Sequence, residues 1–234
     1  MGKIYAGTSG WAYTSWKPKF YPAKLSAANF LNHYASRLNS VEVNYTFSKR
    51  VSEELLKGWA EATPAGFLFA VKAHRLVTHI KRLREPGGVT AEFLTSLEPL
   101  HKLKKLGPVL FQLPPNFKCD IARLRDFLAG LPEGMRAAFE FRHESWFCDE
   151  AYEALRKAGV ALCQAESEEL GTPDMQTSDF SYLRLRKEKY SAKIVAPKIQ
   201  RLARKGDVFV YFKHEDSPDG ALIAEKVLTM TKTK

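Results

Sequence analysis

The sequence predicts a (β/α)8 barrel of the TIM type, formed as a single α/β domain by residues 1–234. Short apolar segments and helical patterns alternate eight times along the chain, which is the arrangement of a parallel sheet covered by helices. A length of 234 residues suits one large core. Polar side chains follow strand after strand, as in barrels, where functional groups lie at the carboxyl ends of the strands.

The main alternative is a doubly wound open sheet, which commonly has a glycine-rich phosphate loop after its first strand. In this chain Gly7-Thr8-Ser9-Gly10-Trp11 occupies that place. It matches neither the Walker pattern nor the dinucleotide-binding pattern. The barrel therefore accounts better for the sequence.

The predicted strands are apolar segments that end in turns or in polar side chains. The third, Phe67–Val71, is apolar throughout, as expected for a parallel strand that is buried on both faces. The fifth begins at Ala138 and becomes a loop before Trp146. The other strands are predicted at 3–8, 40–44, 108–113, 160–164, 180–186 and 207–212.

The segments between these strands carry apolar residues at helical spacing. Ser26 and Ser52 are the predicted N-caps of the first two helices. A third helix is predicted over 91–106, and Gly159 is placed at the C′ position of the helix after the fifth strand. A basic helical segment covers 191–205, before the eighth strand.

The charge balance of the chain is basic. Lysine and arginine number 36 against 26 aspartates and glutamates, a formal net charge of +10. Such a charge suits an anionic partner, either a small anionic molecule or nucleic acid, although a basic surface tuned for solubility explains the same count.

The remaining composition is that of a soluble protein. The three cysteines show no Cys-x-x-Cys spacing, which argues against a disulfide framework. The chain begins without an apolar signal segment, and no apolar run is long enough to span a membrane. We therefore expect a cytoplasmic protein with no membrane association.

The fifth strand carries the most informative pattern. Glu140 and Arg142 are two residues apart and share one face of the strand, whereas Phe139 and Phe141 share the other. A carboxylate and a guanidinium on a buried strand are costly unless they meet partners or a ligand. We expect Glu140 and Arg142 to point into the barrel mouth.

Glu42 and Asn44 share a face of the second strand in the same way. Glu42 and Glu140 are the candidate catalytic residues, as a carboxylate pair for acid–base chemistry if the barrel brings them together. The alternative is structural: Glu42 neutralises Lys72, and Glu140 neutralises Arg142. Sequence spacing leaves both interpretations open.

The candidate ligand-binding residues are cationic, polar or aromatic. Lysine and arginine side chains at strand ends suit phosphate or carboxylate groups, and arginine adds a bidentate fork. Aromatic side chains after the first strand either stack on a ligand or plug one end of the core. The predicted set is Tyr13, Trp16, Asn44, Lys72, His79, Gln112, Arg142, Trp146 and Arg184, and Ser9, Gln164, Glu166 and Lys213 also lie at strand ends.

A divalent metal site is possible in principle from Glu42, His79, Glu140 and His214. No His-x-His or His-x-x-x-His spacing occurs, and the neighbouring basic side chains repel a cation. We therefore expect no metal and no other cofactor. Ser9 has no evident His-Asp pair, so a serine nucleophile is a weaker possibility still.

Seven motifs, in order along most of the chain, resemble the YecE-like family (domain of unknown function 72). They are Gly7-Thr8-Ser9-Gly10-Trp11 with Tyr13 and Trp16, Phe20-Tyr21-Pro22, Val41-Glu42-Val43-Asn44, Phe69-Ala70-Val71-Lys72, Thr78-His79, Leu110-Phe111-Gln112-Leu113-Pro114-Pro115, and Glu140-Phe141-Arg142-His143 with Trp146. The resemblance implies a barrel related to the TIM type and implies no established activity.

The chain departs from the family pattern in two places. The seventh strand reads Arg184-Leu185-Arg186, where the family usually has an Arg-x-His pair. The eighth runs into Lys213-His214-Glu215, where an asparagine-rich turn is usual. Both departures make this part of the mouth more basic.

Three functions fit these observations. The first is an enzyme acting on a phosphorylated ligand, such as a phosphate-ester or phosphodiester hydrolase. The second is a protein that binds nucleic acid or nucleotide without chemistry, with the basic segments 72–84 and 184–205 on opposite sides of the mouth. The third is a sugar isomerase or hydrolase that uses the two carboxylates. The oligomeric state is not predicted.

Overall fold

The computed structural model describes residues 1–166, 171–187, 189–213 and 217–231. Within these ranges eight parallel strands form a nearly closed barrel surrounded by helices, which confirms the predicted fold. Their bounds differ from the predicted ones by a residue or two. The strands are β1 (Ile4–Thr8), β2 (Ser40–Val43), β3 (Leu68–Lys72), β4 (Leu106–Gln112), β5 (Ala137–Glu140), β6 (Ala161–Glu166), β7 (Phe180–Leu185) and β8 (Asp207–Phe212).

The helices pack around the outside of the strands. They are α1 (Phe30–Arg37), α2 (Glu53–Glu61), α3 (Ala91–Ser96), α4 (Glu98–Lys102), α5 (Ile121–Ala129), α6 (Asp149–Lys157), α7 (Ala192–Ala203) and α8 (Asp219–Thr231). The Ser52 hydroxyl caps α2 by accepting from the Leu55 amide at 3.2 Å, and Gly159 follows α6 with a φ of +65°. Among the described residues, no helix is long and apolar enough to cross a membrane.

Two helix predictions are corrected by the structure. Ser26 is not the N-cap of α1, because a 3-10 turn at Ala27–Asn29 separates them. The single helix predicted over 91–106 is two short helices, α3 and α4, which meet at Leu97. The break precedes Pro99, whose ring removes an amide donor and clashes with the preceding turn.

The barrel has a seam between β1 and β2. The strand ladder runs β1-β8-β7-β6-β5-β4-β3-β2, so the first and last strands of this order are joined by side chains instead. Asn39 accepts from the Ala6 amide at 2.9 Å and donates to the Ile4 carbonyl at 2.8 Å. The Tyr34 hydroxyl accepts from the Thr8 amide at 2.8 Å. These bonds satisfy the β1 backbone where a ladder is missing.

The barrel has two apolar clusters, an inner one enclosed by the strands and an outer one between the strands and the helices. Strand residues alternate between them, so Ala138 joins the inner cluster and Phe139 packs outward, 5.9 Å from Phe127 of α5. The next inward residue of β5 is Glu140, which confirms the predicted faces of this strand. The inner cluster is formed by Tyr5, Ala70, Leu110, Ala138, Ala161, Cys163, Ala165, Phe180, Tyr182, Phe209 and Tyr211. Charged side chains lie above it, at the carboxyl ends of the strands.

Candidate functional site

Glu42 and Glu140 point into the barrel from β2 and β5, and both are fully buried. One guanidinium joins them. Arg184 of β7 places Nη2 2.9 Å from Glu42 Oε1 and Nη1 2.5 Å from Glu140 Oε2. We call Glu42, Glu140 and Arg184 the buried triad. The barrel thus brings the two candidate catalytic residues to opposite sides of one arginine.

Neutral side chains complete the hydrogen bonding of the buried triad. The Tyr182 hydroxyl donates to Glu42 Oε2 at 2.7 Å, and the Ser9 hydroxyl donates to Glu42 Oε1 at 2.5 Å. Gln112 Oε1 accepts from Arg184 Nη1 at 3.2 Å. Buried charges are stable only when they are paired and hydrogen-bonded in this way.

Two further arginines contact the carboxylates from the solvent side. Arg142 donates from Nε to Glu140, and 28% of its side chain is exposed. Arg186 places Nη2 3.0 Å from Glu42 Oε1, contacts the Ser9 hydroxyl, and is 13% exposed. The Glu140–Arg142 pair expected from the sequence is therefore present. Glu42 pairs with arginines of β7 rather than with the lysine of β3.

The charge state of the carboxylates follows from these contacts. Burial favours the neutral acid, but the charges of Arg184 and Arg186 outweigh it and lower the pKa of Glu42 to about 2. Burial of Glu140 is likewise outweighed by Arg184 and Arg142, and its pKa is also lowered. Both groups are ionised at neutral pH. A general acid needs a raised pKa, so the geometry favours an anchoring role over proton donation.

Lys72 enters the mouth from the end of β3 and differs from the arginines. Its Nζ lies 4.0 Å from the centroid of the Phe47 ring, a cation–π contact. The Thr46 hydroxyl donates to the Lys72 carbonyl at 2.7 Å and so holds the turn that carries Phe47 against this strand end. Burial and then the charge of Arg184 lower the pKa of Lys72 to about 8. We call Lys72, Arg142 and Arg186 the rim cations.

His79 and Asn44 lie beside this lysine. The His79 ring meets the edge of Phe47 at 4.9 Å between centroids, and His79 Nδ1 is 2.9 Å from the Thr78 hydroxyl. Burial, and then the charge of Lys72, lower the pKa of His79, so its imidazole is neutral at pH 7. Asn44 ends β2, and its buried Oδ1 accepts no hydrogen bond from the described part of the protein.

Tyr13 and Trp16 belong to an aromatic cluster in the loop after β1. Trp16 is fully buried, 5.1 Å from Tyr13 and 5.7 Å from Tyr21 between ring centroids, and Tyr21 stacks on Phe30 of α1. Tyr13 is half-buried and donates to the Ser9 carbonyl at 3.3 Å. The hydroxyl of the same serine bonds to Glu42, so Tyr13 lies near the buried triad. Trp16 thus packs as a plug, and ligand contact by Tyr13 stays a prediction.

Trp146 is not brought to the buried triad. Its ring is fully buried and stacks on Phe141 at 4.7 Å, and its indole N–H donates to the Phe117 carbonyl at 2.7 Å. Phe141 packs with the outer cluster, opposite to Glu140. A buried, hydrogen-bonded indole cannot contact a ligand in this arrangement.

The metal site considered from the sequence is not assembled by the residues described. Among them, no three His, Cys, Asp or Glu side chains lie close enough together to hold a metal ion. Glu42 and Glu140 are bridged by arginine, and His79 lies against Phe47. His214 lies outside the described residues.

Sequence reasoning missed Tyr182 and misplaced the end of β6. Tyr182 is two residues before Arg184, so the alternation that identified Glu140 and Arg142 also identifies it. On β6 the same alternation turns Cys163 inward. Gln164 points the other way and donates to Asp174 at 3.0 Å, so it is not a mouth residue.

Of the basic segments 72–84 and 184–205, the second lies at the mouth only at its beginning. Arg186 and Lys187 follow β7 directly and lie at the mouth, opposite the loop after β3. Helix α7 then returns towards the start of β8, which carries the last basic residues of 184–205 to the other end of the barrel. On its way, Lys198 pairs with Glu166 at 2.9 Å. The outward direction of this glutamate, like that of Gln164, corrects its predicted place at the mouth.

The fold and the mouth define a TIM-type barrel whose interior changes from apolar to cationic at the carboxyl ends of the strands. The family described as "protein of unknown function DUF72" matches residues 5–234, and the chain belongs to that family. The resemblance found in the sequence motifs is thereby confirmed.

Two similar proteins illustrate the range of sequence identity to this chain. The UPF0759 protein YunF of Bacillus subtilis (strain 168) is 33% identical over 160 residues, which are 64% of this chain and 54% of that protein. The chain therefore spans about half the length of this relative. A solved DUF72 family protein from Thermotoga maritima MSB8 is 28% identical, with a TM-score of 0.86 over 99% of this chain and 100% of that one.

A more distant structure is D-psicose 3-epimerase with D-tagatose from Clostridium cellulolyticum H10. It is 12% identical, with a TM-score of 0.57 over 98% of each chain. At this level of identity the similarity shows the shared barrel fold and nothing about activity.

Proposed function

We propose that the barrel mouth binds a small molecule that carries a phosphate or carboxylate group. The observation that carries the proposal is the charge of the mouth. Four basic side chains (Lys72, Arg142, Arg184 and Arg186) surround two carboxylates (Glu42 and Glu140), so an excess of two positive charges is left when Lys72 is protonated. A low-dielectric cleft with such an excess attracts anions.

The rim guanidinium groups have donors available for this ligand. Arg142 uses Nε for Glu140, and within the described ranges its two Nη atoms have no protein acceptor. Arg186 uses Nη2 for Glu42 and Ser9, and the same part of the structure offers no acceptor to its Nε or Nη1. Each guanidinium is held in place by a buried carboxylate through one nitrogen, which leaves its other two nitrogens for a ligand. Such preorganised donors bind phosphate or carboxylate groups bidentately.

The geometry supports one half of the hydrolase hypothesis, binding of a phosphate by basic side chains. It does not support the other half, acid–base catalysis by the two glutamates. Arginines at the mouth suit the charge of a phosphate ester in its transition state. Glu42 and Glu140, however, are ionised and engaged by arginine, which leaves neither as a proton donor. Anion binding, rather than a named reaction, is therefore the function that the geometry supports best.

Nucleic-acid binding is the second candidate. The observation in its favour is that Lys187 and Arg82 are on opposite sides of the mouth, after β7 and β3. Binding of single-stranded DNA or RNA would fall steeply with salt, and charge reversal at Lys187 would lower the salt slope by about one unit. The course of α7, which removes half of the basic segment from the mouth, favours the smaller ligand.

The test is calorimetric titration of inorganic phosphate and phosphate monoesters into the wild type and Arg142→Gln at low salt. We expect Arg142→Gln to weaken binding by about tenfold or more, because one charged, bidentate contact is lost. Arg37→Gln is the matched control: Arg37 is 24% exposed and paired with Glu225 at 2.5 Å, but it belongs to α1. Absence of binding in the wild type, or equal binding in Arg142→Gln, contradicts the proposal.

A further inference from the structure

Lys72 is the one rim cation whose head group is an amine. It ends β3 and continues the inward alternation of Leu68 and Ala70, so its side chain emerges above the inner cluster in the mouth. The ring of Phe47 lies against its Nζ, and the bond from Thr46 to its carbonyl fixes that ring in place. The amine is therefore partly buried and held at a defined position.

The carboxylates of the mouth attract this amine only from a distance. Both carboxylates of the mouth are bound by arginines, and in the described part of the chain no carboxylate lies within ion-pair distance of Lys72 Nζ. Burial and Arg184 lower its pKa to about 8. At pH 7 about one Lys72 in ten is then neutral, against fewer than about one in a thousand for an ordinary lysine. A neutral amine is a nucleophile.

We propose that Lys72 forms an imine with the carbonyl group of a small aldehyde or ketone whose phosphate or carboxylate is held by Arg142 and Arg186. The inference rests on the proposed anion binding and deepens it by naming the substrate class. Among the described residues no ion pair engages Lys72 Nζ, so this amine is left to react with a ligand that the neighbouring arginines hold.

The step balances without a cofactor. The Lys72 nitrogen forms a bond to the carbonyl carbon, one proton leaves the nitrogen, and the carbonyl oxygen becomes the hydroxyl of a carbinolamine. The nitrogen lone pair then forms the C=N bond as the hydroxyl leaves with a proton as water. Neutral His79, on the edge of the same Phe47 ring, lies beside Lys72 and can carry these protons.

Reductive trapping tests the inference. The protein is incubated with glyoxylate, glycolaldehyde phosphate or neutral glycolaldehyde, and sodium borohydride reduces any imine to a secondary amine. Intact mass spectrometry then measures a gain equal to the carbonyl compound less one oxygen, and peptide mapping locates it. The variants are Lys72→Gln, Arg142→Gln and, as a control, Lys49→Gln, which removes an exposed lysine after β2.

We expect labelling of Lys72 by the two anionic compounds, about tenfold above neutral glycolaldehyde at equal concentration. The label should be lost in Lys72→Gln, weakened in Arg142→Gln and unchanged in Lys49→Gln. Equal labelling of Lys72 and exposed lysines, or equal labelling by the neutral compound, overturns the inference.

Phosphate titration of the same samples separates the two proposals. Phosphate binding without a Lys72 adduct overturns the imine and leaves anion binding intact. Absence of both overturns both. A Lys72 adduct without phosphate binding overturns the proposed function and, with it, the assignment of an anionic substrate. Far-UV circular dichroism of each variant shows whether a lost adduct reflects unfolding.

Discussion

Arg184 and Lys72 both point into the barrel mouth, from β7 and β3, but they differ in their partners. Arg184 is 5% exposed and bonds to two buried carboxylates and to Gln112. Lys72 is half-buried, lies on an aromatic ring, and is bonded to no carboxylate that the structure describes. The two cations carry equal charge, yet their proton affinities shift in opposite directions.

The cause of the difference is the number of carboxylates that each cation can reach. Two carboxylates enclose Arg184, and their attraction outweighs the cost of burial. For Lys72 the order is reversed: burial and repulsion by Arg184 outweigh the attraction of Glu42 and Glu140, which reach it without an ion pair. The centre of the mouth is therefore built for stability, and the rim retains charge that a ligand can neutralise.

The largest expected effect comes from Arg184→Met. It leaves Glu42 and Glu140 buried without their shared cation, and we expect the free energy of unfolding to fall by about 3–5 kcal/mol. Equilibrium urea unfolding at neutral pH measures this change. The matched control is Arg201→Met, which breaks an exposed pair with Asp174 at 3.1 Å and should cost less than about 1 kcal/mol.

Equal losses in these two variants would show that the buried triad contributes no more to stability than an exposed ion pair. Adding Glu140→Gln to Arg184→Met gives a second measurement, because it removes one of the two stranded charges. The double variant should regain part of the lost stability. No recovery would indicate that packing of the Arg184 side chain, rather than charge, determines the loss.

The next effect is the acid sensitivity of the buried triad. Glu42 has a folded-state pKa of about 2 and an unfolded reference of 4.5, so its contribution is present above pH 4.5 and is lost as the pH falls towards 2. We expect the free energy of unfolding to fall by about 3 kcal/mol over this window through Glu42 alone. Urea unfolding in a pH series measures the slope.

Glu42→Gln should reduce the fall in the free energy of unfolding between pH 4.5 and 2. Part of the fall should remain, because the pKa of Glu140 is also lowered. Glu98→Gln, which changes an exposed glutamate paired with Lys102 at 2.9 Å, is the control and should keep the wild-type slope. If the free energy of unfolding of Glu42→Gln falls with acid as steeply as that of the wild type, Glu42 is not the cause of the acid sensitivity.

The smallest effect is expected at Lys72, whose burial as a cation lowers the free energy of unfolding at neutral pH, whereas the ionised Glu42 raises it. The folded-state pKa of about 8 lies below the unfolded reference of 10.5, so the unfolded chain binds the proton more tightly. The free energy of unfolding should therefore rise, by about 1–2 kcal/mol, as the pH increases from 8 towards 10. Lys72→Met should remove this rise and, at pH 7, leave stability unchanged or raise it by up to about 1 kcal/mol. Urea unfolding between about pH 7 and 9.5 measures both, and a parallel rise in Lys72→Met would contradict the assignment.

Much of the site could be predicted from local patterns. Alternation along β5 placed Glu140 and Arg142 in the mouth and Phe139 and Phe141 on the outer face, as the structure shows. Alternation predicts the direction of a side chain only within a regular strand. Trp146 follows the end of β5, where no period relates a side chain to a face, and it packs outward.

The partners of each charge could not be predicted in the same way. Glu42 and Arg184 are 142 residues apart, and their contact depends on which strands face each other across a closed sheet. In the structural alternative left open by the sequence, Glu42 neutralises Lys72. The structure shows that arginines from β7 reach across the barrel instead.

By itself, the sequence determined the class of fold, the inward face of β2 and β5 and the excess of positive charge, because periodicity and composition are local properties that survive in any arrangement of the chain. Only the tertiary structure decided which inward charges meet. Electrostatic energy depends on distance and burial, and both are set by closure of the barrel. The same closure that encloses Arg184 between two carboxylates leaves Lys72 against Phe47, with no ion-pair partner among the described residues.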